Sequence, residues 1–177
     1  MGKVWPLTGF ILGSIFAFSA LANAEVLDAN AGGFALKRTY EINAPRASVY
    51  RALIHPERWW SSSHTWSGTA SNLSMSARAG GCFCERLANG GSVQHMTIVY
   101  AAPNQELRMF GALGPLQMTG ASGHLNVKLE ENGGKTNMSV TFDVGGYANG
   151  GLNNWALPVD GVLGEQFSAL KALVERN

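Results

Sequence analysis

Apolar residues recur along the last stretch of the chain, Asn154 to Asn177, at Val159, Val162, Leu163, Phe167, Leu170, Leu173 and Val174. Glu165, Lys171, Glu175 and Arg176 lie between them, and this alternation of three and four is the spacing of an amphipathic helix with one long apolar stripe. Upstream the period falls to two. Met138, Val140, Phe142 and Val144 share one face of a strand over Lys135 to Gly145, with Asn137, Ser139, Thr141 and Asp143 on the other. Such patterning predicts an α+β domain, a curved antiparallel sheet that buries one face against the C-terminal helix.

Phe34 to Asn43 alternates in the same way, Phe34, Leu36, Arg38, Tyr40 and Ile42 forming one face with a single polar intrusion. Asn43-Ala44-Pro45 then reads as a helix cap, followed by a buried stripe of Val49, Tyr50, Leu53 and Ile54. His55-Pro56 ends that helix, and a second short turn of helix runs to Trp59-Trp60. Ser61 to Asn72 is rich in Ser, Thr and Gly and reads as a loop carrying His64 and Trp66.

From Leu73 the pattern is a meander of six strands, at Leu73–Arg78, Cys82–Leu87, Ser92–Ala101, Glu106–Leu113, Leu116–Glu130 and Lys135–Gly145. Gly120 and Gly123 suggest a bulge or bend in the fifth of these. Val93, Met96, Ile98 and Val99 make both faces of Ser92–Ala101 apolar, so its inward face is ambiguous. Gly145 to Gly151 reads as a mobile loop leading to an Asn153-Asn154 cap; together with the Trp66 loop it is one of two expected gates.

Composition narrows the partners. Residues 1–24 have the form of a signal peptide: Lys3, an uncharged apolar run from Leu7 to Leu21, and Ala22-Asn23-Ala24 before Glu25. The run is shorter than the roughly 20 residues that cross a bilayer, so no stable membrane anchor is expected after cleavage. Residues 25–33 read as a flexible lead-in and 34–177 as one domain, periplasmic or secreted. Without Lys3 the 13 basic side chains become 12, against 12 acidic ones, which gives nucleic acid no electrostatic footprint.

Strand, two short helices, a six-strand meander and a long C-terminal helix form the helix-grip order. Glu41-Ile42-Asn43-Ala44-Pro45, Val49-Tyr50-Arg51-Ala52-Leu53, Trp59-Trp60, Gly80-Gly81-Cys82-Phe83-Cys84-Glu85 and Val159-Asp160-Gly161-Val162-Leu163 resemble the START-like (SRPBCC) superfamily. The similarity is to its Hsp90-ATPase-activator-like and polyketide cyclase/dehydrase-like branches and covers residues 34 to 176. It implies a deep, mostly apolar cavity between the concave sheet and the C-terminal helix. The signal-like N-terminus departs from the co-chaperone branch, which acts on a cytosolic partner. The superfamily holds small-molecule binders, cyclases and interaction domains alike, so fold alone does not assign a role.

No recognised catalytic motif is present, and His55, His64, His95 and His124 lack ligand spacing; each is expected at the surface or in a loop, and no metal or cofactor is expected. Glu85 is the candidate catalytic carboxylate: sharing a strand face with Phe83 and Leu87, it would be desolvated and raised in pKa unless Arg38 or Arg108 paired with it. The alternative is a structural glutamate. Cys82 and Cys84 stand two apart, where a regular strand separates Cα atoms by roughly 6.5 to 7 Å, at the limit for a disulfide. Two thiols are therefore the first expectation, a disulfide allowed by a bulge the second, and a metal pair the third.

Aromatic and Met side chains carry the functional signal. Trp59, Trp60, Trp66 and Trp155 gather at the loops and helix start, and Met96, Met109 and Met118 fall on strands with Phe83 and Phe142. With Val159, Leu163 and Phe167 of the helix they form the expected apolar wall, and Arg38, Tyr40, Glu85 and Gln166 are its polar handles. The expected ligand is a small hydrophobic or amphipathic molecule. The alternatives are an enzyme of the cyclase/aromatase type acting in the same cavity, or an interaction domain with a filled core.

Overall fold

Strand β8 (Lys135–Tyr147) has the cleanest alternation in the chain and lies inside the sheet, burying Thr136, Met138, Val140, Phe142 and Val144 on one face. A computed structural model of the chain describes Met1 and residues 23–176. Residues 2–22, where most of the signal-peptide expectation falls, lie outside the described residues. Beside β8 run β2 (Gly33–Ile42) and β7 (Gly120–Asn132), both antiparallel to it. The eight strands are ordered β1-β2-β8-β7-β6-β5-β4-β3, where β1 is Asn23–Asn30, β3 Leu73–Met75, β4 Cys82–Arg86, β5 Ser92–Ala102 and β6 Glu106–Gly111. The meander β3 to β8 thus closes back on β2, and the order of elements is the helix-grip order.

Helix α2 (Ala156–Glu175) supplies the second layer. Leu163, Phe167, Leu170 and Val174 of its stripe are buried in one core with Leu36, Tyr40, Val140 and Phe142 of the sheet, the Tyr40 and Phe167 rings lying 6.5 Å apart between centroids. Full burial of each such side chain contributes about 1.5–3 kcal/mol, so this stripe anchors the helix. Helix α1 (Arg46–Leu53) packs Val49, Tyr50 and Leu53 into the same core. Polar ties fix the far end of α2: Lys171 Nζ donates to the Glu41 carbonyl at 2.7 Å, and the Asn43 N–H donates to Glu175 Oε1 at 2.9 Å. Among the described residues no helix is long and apolar enough to cross a membrane.

Several local expectations are corrected. Residues 25–33 are not a loose lead-in: most of them form β1 and its turn, paired with β2 from Asn23↔Thr39 to Asn30↔Gly33. This edge strand is held mainly through its backbone, Val26 alone among its described side chains packing on the core, so side-chain patterning does not reveal it. Neither expected asparagine cap operates. Pro45 and Trp155 occupy the N-cap positions without side-chain capping bonds.

The Leu116–Glu130 segment divides into a 3₁₀ turn, Gly114–Met118, and β7, which leaves Met118 80% exposed instead of on a strand. Gly123 makes no bulge, since β7 pairs with β8 without a break in register. It permits a close approach instead: a Cβ there would stand 2.3 Å from the Asp143 carbonyl oxygen. Gly145 to Tyr147, expected within a mobile loop, extend β8.

Candidate functional site

β5 bulges where it pairs with β4, one of three places among the described residues where the sheet register shifts, the others lying at Val26/Asp28 in β1 and at Ile98/Tyr100 where β5 meets β6. Phe83 pairs with Met96 and Cys84 with Gln94, so His95 is an extra residue opposite that step of β4. Without the bulge His95 would face away from Met96; with it, both are buried. Glu85, on the inner face of β4 with Phe83, is 1% exposed, and His95 is 6% exposed. His95 Nε2 stands 3.0 Å from Glu85 Oε2. The expectation of a surface or loop histidine is therefore wrong for His95. The bulge that re-aims it was not legible because both faces of β5 are apolar.

Glu85 also accepts the backbone N–H of Trp66 at 3.1 Å and that of Ser67. Neither arginine reaches it: Arg38 pairs with Asp160 and Arg108 with Glu106. Burial pushes the Glu85 carboxyl up, but hydrogen bonds from Ser67, Trp66 and His95 together hold it below the ordinary carboxylate value. The expected upward shift is reversed because the Ser67 side chain, the Ser67 and Trp66 amides and His95 take the place of the missing cation. Burial likewise lowers His95, and the Glu85 partner only partly restores it, so the pair consists of a carboxylate and a neutral imidazole.

Around His95 opens a cavity of about 400 Å³. It lies against the N-terminal half of α2, where Trp155, Pro158, Val159, Val162 and Leu163 repeat at three and four residues and face it. Trp60 and residues 63–66 form a second wall and Leu113 to Leu116 a third. One apolar stripe thus performs two tasks, lining the cavity up to Leu163 and filling the core beyond it. The volume lies toward the lower end of the roughly 300–1,000 Å³ of small-molecule sites.

The Trp66 loop is pinned to this cavity. Ser61 N–H donates to Gln166 Oε1 at 2.7 Å, Trp60 Nε1 to the His64 carbonyl at 3.0 Å, and His64 Nε2 lies 3.0 Å from Glu165 Oε2. With Glu85 holding Trp66 and Ser67, side chains from α2 and β4 both fix the loop. An aromatic series backs it, from Phe167 to Trp59 (5.7 Å between centroids), Trp60 (5.5 Å), Phe83 (5.4 Å) and His95 (5.1 Å).

Of the residues expected at the ligand, Trp60, Trp66, Trp155, Val159 and Leu163 are on the cavity wall. Trp59, Phe83, Met96, Met109, Phe142 and Phe167 are buried in the continuous core. Arg38 is committed to Asp160, and Gln166 is buried and accepts from the Ser61 amide. The Tyr40 hydroxyl is buried near Arg38 without a well-formed hydrogen bond, and burial pushes its pKa up. The polar groups on the wall are instead Ser63, His64, Thr65 and His95.

Cys82 and Cys84 form a disulfide with Cα atoms 5.4 Å apart, which overturns the first expectation of two thiols. The bridge spans the step of β4 that faces the His95 bulge, so the ladder departs from regular spacing on both strands there. Among the described residues no three His, Cys, Asp or Glu side chains are grouped to hold a metal ion.

An open antiparallel sheet gripping a long C-terminal helix, with a cavity against that helix, defines a helix-grip protein of the START-like superfamily. More narrowly, residues 43–175 match the family described as Activator of Hsp90 ATPase homolog 1-like protein, and the chain belongs to it. No curated protein matches the sequence. A protein from Rhizobium leguminosarum has a similar structure at TM-score 0.60 and 20% identity, over 89% of this chain and 100% of that one. CalU16 from Micromonospora echinospora is similar at TM-score 0.57 and 15% identity, over 87% of this chain and 83% of its own. A conserved protein from Enterococcus faecalis is similar at TM-score 0.57 and 13% identity, over 87% and 77%. At these identities the likeness concerns the fold.

Proposed function

We propose that the chain binds a small hydrophobic or amphipathic molecule in the cavity against α2, outside the cytoplasm. The observation that carries this reading is the cavity of about 400 Å³ whose walls are mostly Trp, Leu, Val and Pro, with a few hydroxyl and imidazole groups from residues 63–65 and His95. Apolar ligand surface gains roughly 25 cal/mol per Å² on entering such a site, and the few polar groups select its orientation. The pinned Trp66 loop supports affinity as well, because a wall already fixed has little ordering entropy left to lose.

Residues 1–24 act, in this reading, as a signal peptide cleaved after Ala24. The Cys82–Cys84 disulfide supports an oxidising compartment. A second reading, an enzyme of the cyclase type using the same cavity, draws support from the buried Glu85–His95 pair.

The test is native mass spectrometry of protein recovered gently from the periplasm or medium, before and after unfolding and refolding. The expected result is a chain beginning at Glu25 that carries a discrete extra mass lost on refolding. Val159→Trp, which fills the cavity from α2, should abolish that mass. A retained mass in this variant would place the ligand elsewhere, and a chain still carrying residues 1–24 would overturn the compartment.

A further inference from the structure

A histidine whose only task is to pack would be expected to follow the strand alternation or to reach solvent. His95 does neither. The β5 bulge turns it inward, beside Met96, to a position on the cavity wall. Its Nε2 meets Glu85 at 3.0 Å, and the other Glu85 partners, the Trp66 and Ser67 amides and the Ser67 side chain, are all donors. A carboxylate accepting from these groups accepts from the imidazole as well. That fixes the proton on Nε2 and leaves the lone pair on Nδ1. Glu85 thereby orients a neutral imidazole and can stabilise its protonated form, the arrangement needed for general base catalysis.

We propose that His95 is a general base acting on an apolar carbonyl compound bound in the cavity, with Glu85 as its positioning residue. The proposal rests on the binding reading above and adds a reaction to it. His95 Nδ1 takes a proton from the carbon next to the carbonyl; the C–H pair becomes the C=C bond of an enolate, and the carbonyl π pair moves to oxygen. The imidazolium remains in contact with the Glu85 carboxylate. Return of the proton to the same carbon gives exchange, and return to a conjugated carbon gives an isomer. Either outcome balances without an oxidant, a reductant or a co-reactant. Ser63, on the same cavity wall, carries a hydroxyl that pairs with Ser61 Oγ at 2.7 Å and could turn from it to donate to the developing enolate oxygen. An apolar wall suits this chemistry because proton transfer to a desolvated base avoids competition from water.

The test uses 2-tetralone, an apolar ketone with exchangeable α-hydrogens, with the mature, oxidised protein in D₂O. Binding is read from tryptophan fluorescence, since Trp60, Trp66 and Trp155 line the cavity. Exchange is read from loss of the α-proton signals by NMR. The expected result is exchange about 10²–10⁴-fold faster than with free imidazole at the same concentration and pH. His95→Gln should abolish the acceleration while retaining binding. Glu85→Gln should slow exchange and move its pH profile to lower pH, a shift that a merely structural residue would not produce.

A second measurement needs no substitution. 2-Bromoacetophenone should alkylate the wild-type protein at His95, forming an Nδ1–C bond as bromide leaves, and bound 2-tetralone should block it. Bound 2-tetralone that exchanges no faster than with imidazole overturns the proposal and leaves the binding reading standing. So does acceleration that survives in His95→Gln, or alkylation that spares His95. A ketone that fails to bind overturns the proposal for this substrate class, and the binding reading then stands or falls with the mass measurement above.

Discussion

Arg38 of β2 and Asp160 of α2 meet through two hydrogen bonds of 2.7 Å, Nε to Oδ1 and Nη2 to Oδ2. Parallel bonds of this kind fix direction as well as distance, so the pair sets the position of α2 along the sheet immediately beside the cavity wall. Val159 and Leu163 flank Asp160 and line the cavity, so the helix register that the ion pair defines is also the register of the site. Both side chains are largely buried, at 14% and 13% exposure. Removing one partner would leave the other charge poorly solvated. Asp160→Ala should therefore lower stability by about 2–3 kcal/mol. Urea unfolding checks this, and a loss below about 0.5 kcal/mol would mean the pair behaves like an exposed surface bridge.

The same contact makes two glycines of α2 unequal. A Cβ on Gly164 would lie 2.4 Å from Arg38 Nη1 and 2.5 Å from Cζ, whereas one on Gly161 meets nothing within 4 Å. Gly to Ala in a helix interior ordinarily stabilises by about 0.5–1 kcal/mol. Gly161→Ala should show that gain. Gly164→Ala should instead be destabilising, because the guanidinium it displaces is held by Asp160, and in Asp160→Ala the penalty should shrink. Thermal unfolding of the four proteins measures this coupling.

The Cys82–Cys84 bridge closes a very short loop, so it removes little entropy from the unfolded chain, about 1–2 kcal/mol in the loop-closure relation. Reduction should therefore leave the fold intact while lowering the urea midpoint slightly. Denatured, unreduced protein should titrate no thiols, in keeping with the absence of free cysteines among the described residues. Unfolding of the whole domain on reduction would show that the bridge carries more than its loop length allows, through the bulged step that presents His95.

Much of the architecture was legible because it follows from side-chain period. Alternation in β2 and β8 and the three-and-four stripe of α2 each report a buried face directly. The two-residue spacing of Phe83 and Glu85 also placed Glu85 inside the sheet. Features set by the backbone were not legible. Edge strand β1 packs few side chains on the core, and the bulge at His95 has no signature in a strand apolar on both faces. The structural partners of two expected polar handles, Arg38 and Gln166, were not legible for a related reason. Arg38 has the composition of a ligand contact, but its partner Asp160 lies 122 positions away, and pairing at that separation depends on the fold. Gln166 was similarly committed to the Ser61 amide, 105 positions away.

The buried pair also makes stability depend on pH, and both members act in the same sense. His95 lies below its ordinary value of 6.5, chiefly through burial, so the unfolded chain binds a proton there more readily than the folded one. Its contribution is present above that value and is lost as pH falls from about 6.5 through the folded pKa. Glu85 lies below its ordinary 4.5: burial acts upward, and the bonds from Ser67, Trp66 and His95 outweigh it. Its contribution is likewise present above 4.5 and is lost at still lower pH. Stability should thus decline in two stages on acidification, the first belonging to His95 and the second to Glu85. Urea midpoints between pH 3.5 and 8, taken as differences between wild type and each of His95→Asn and Glu85→Gln, separate these stages from other titrating groups. His95→Asn should flatten the upper stage, and Glu85→Gln should remove the lower one. An upper stage that survives in His95→Asn would assign the dependence to another histidine and would mean that His95 is not held neutral in the fold.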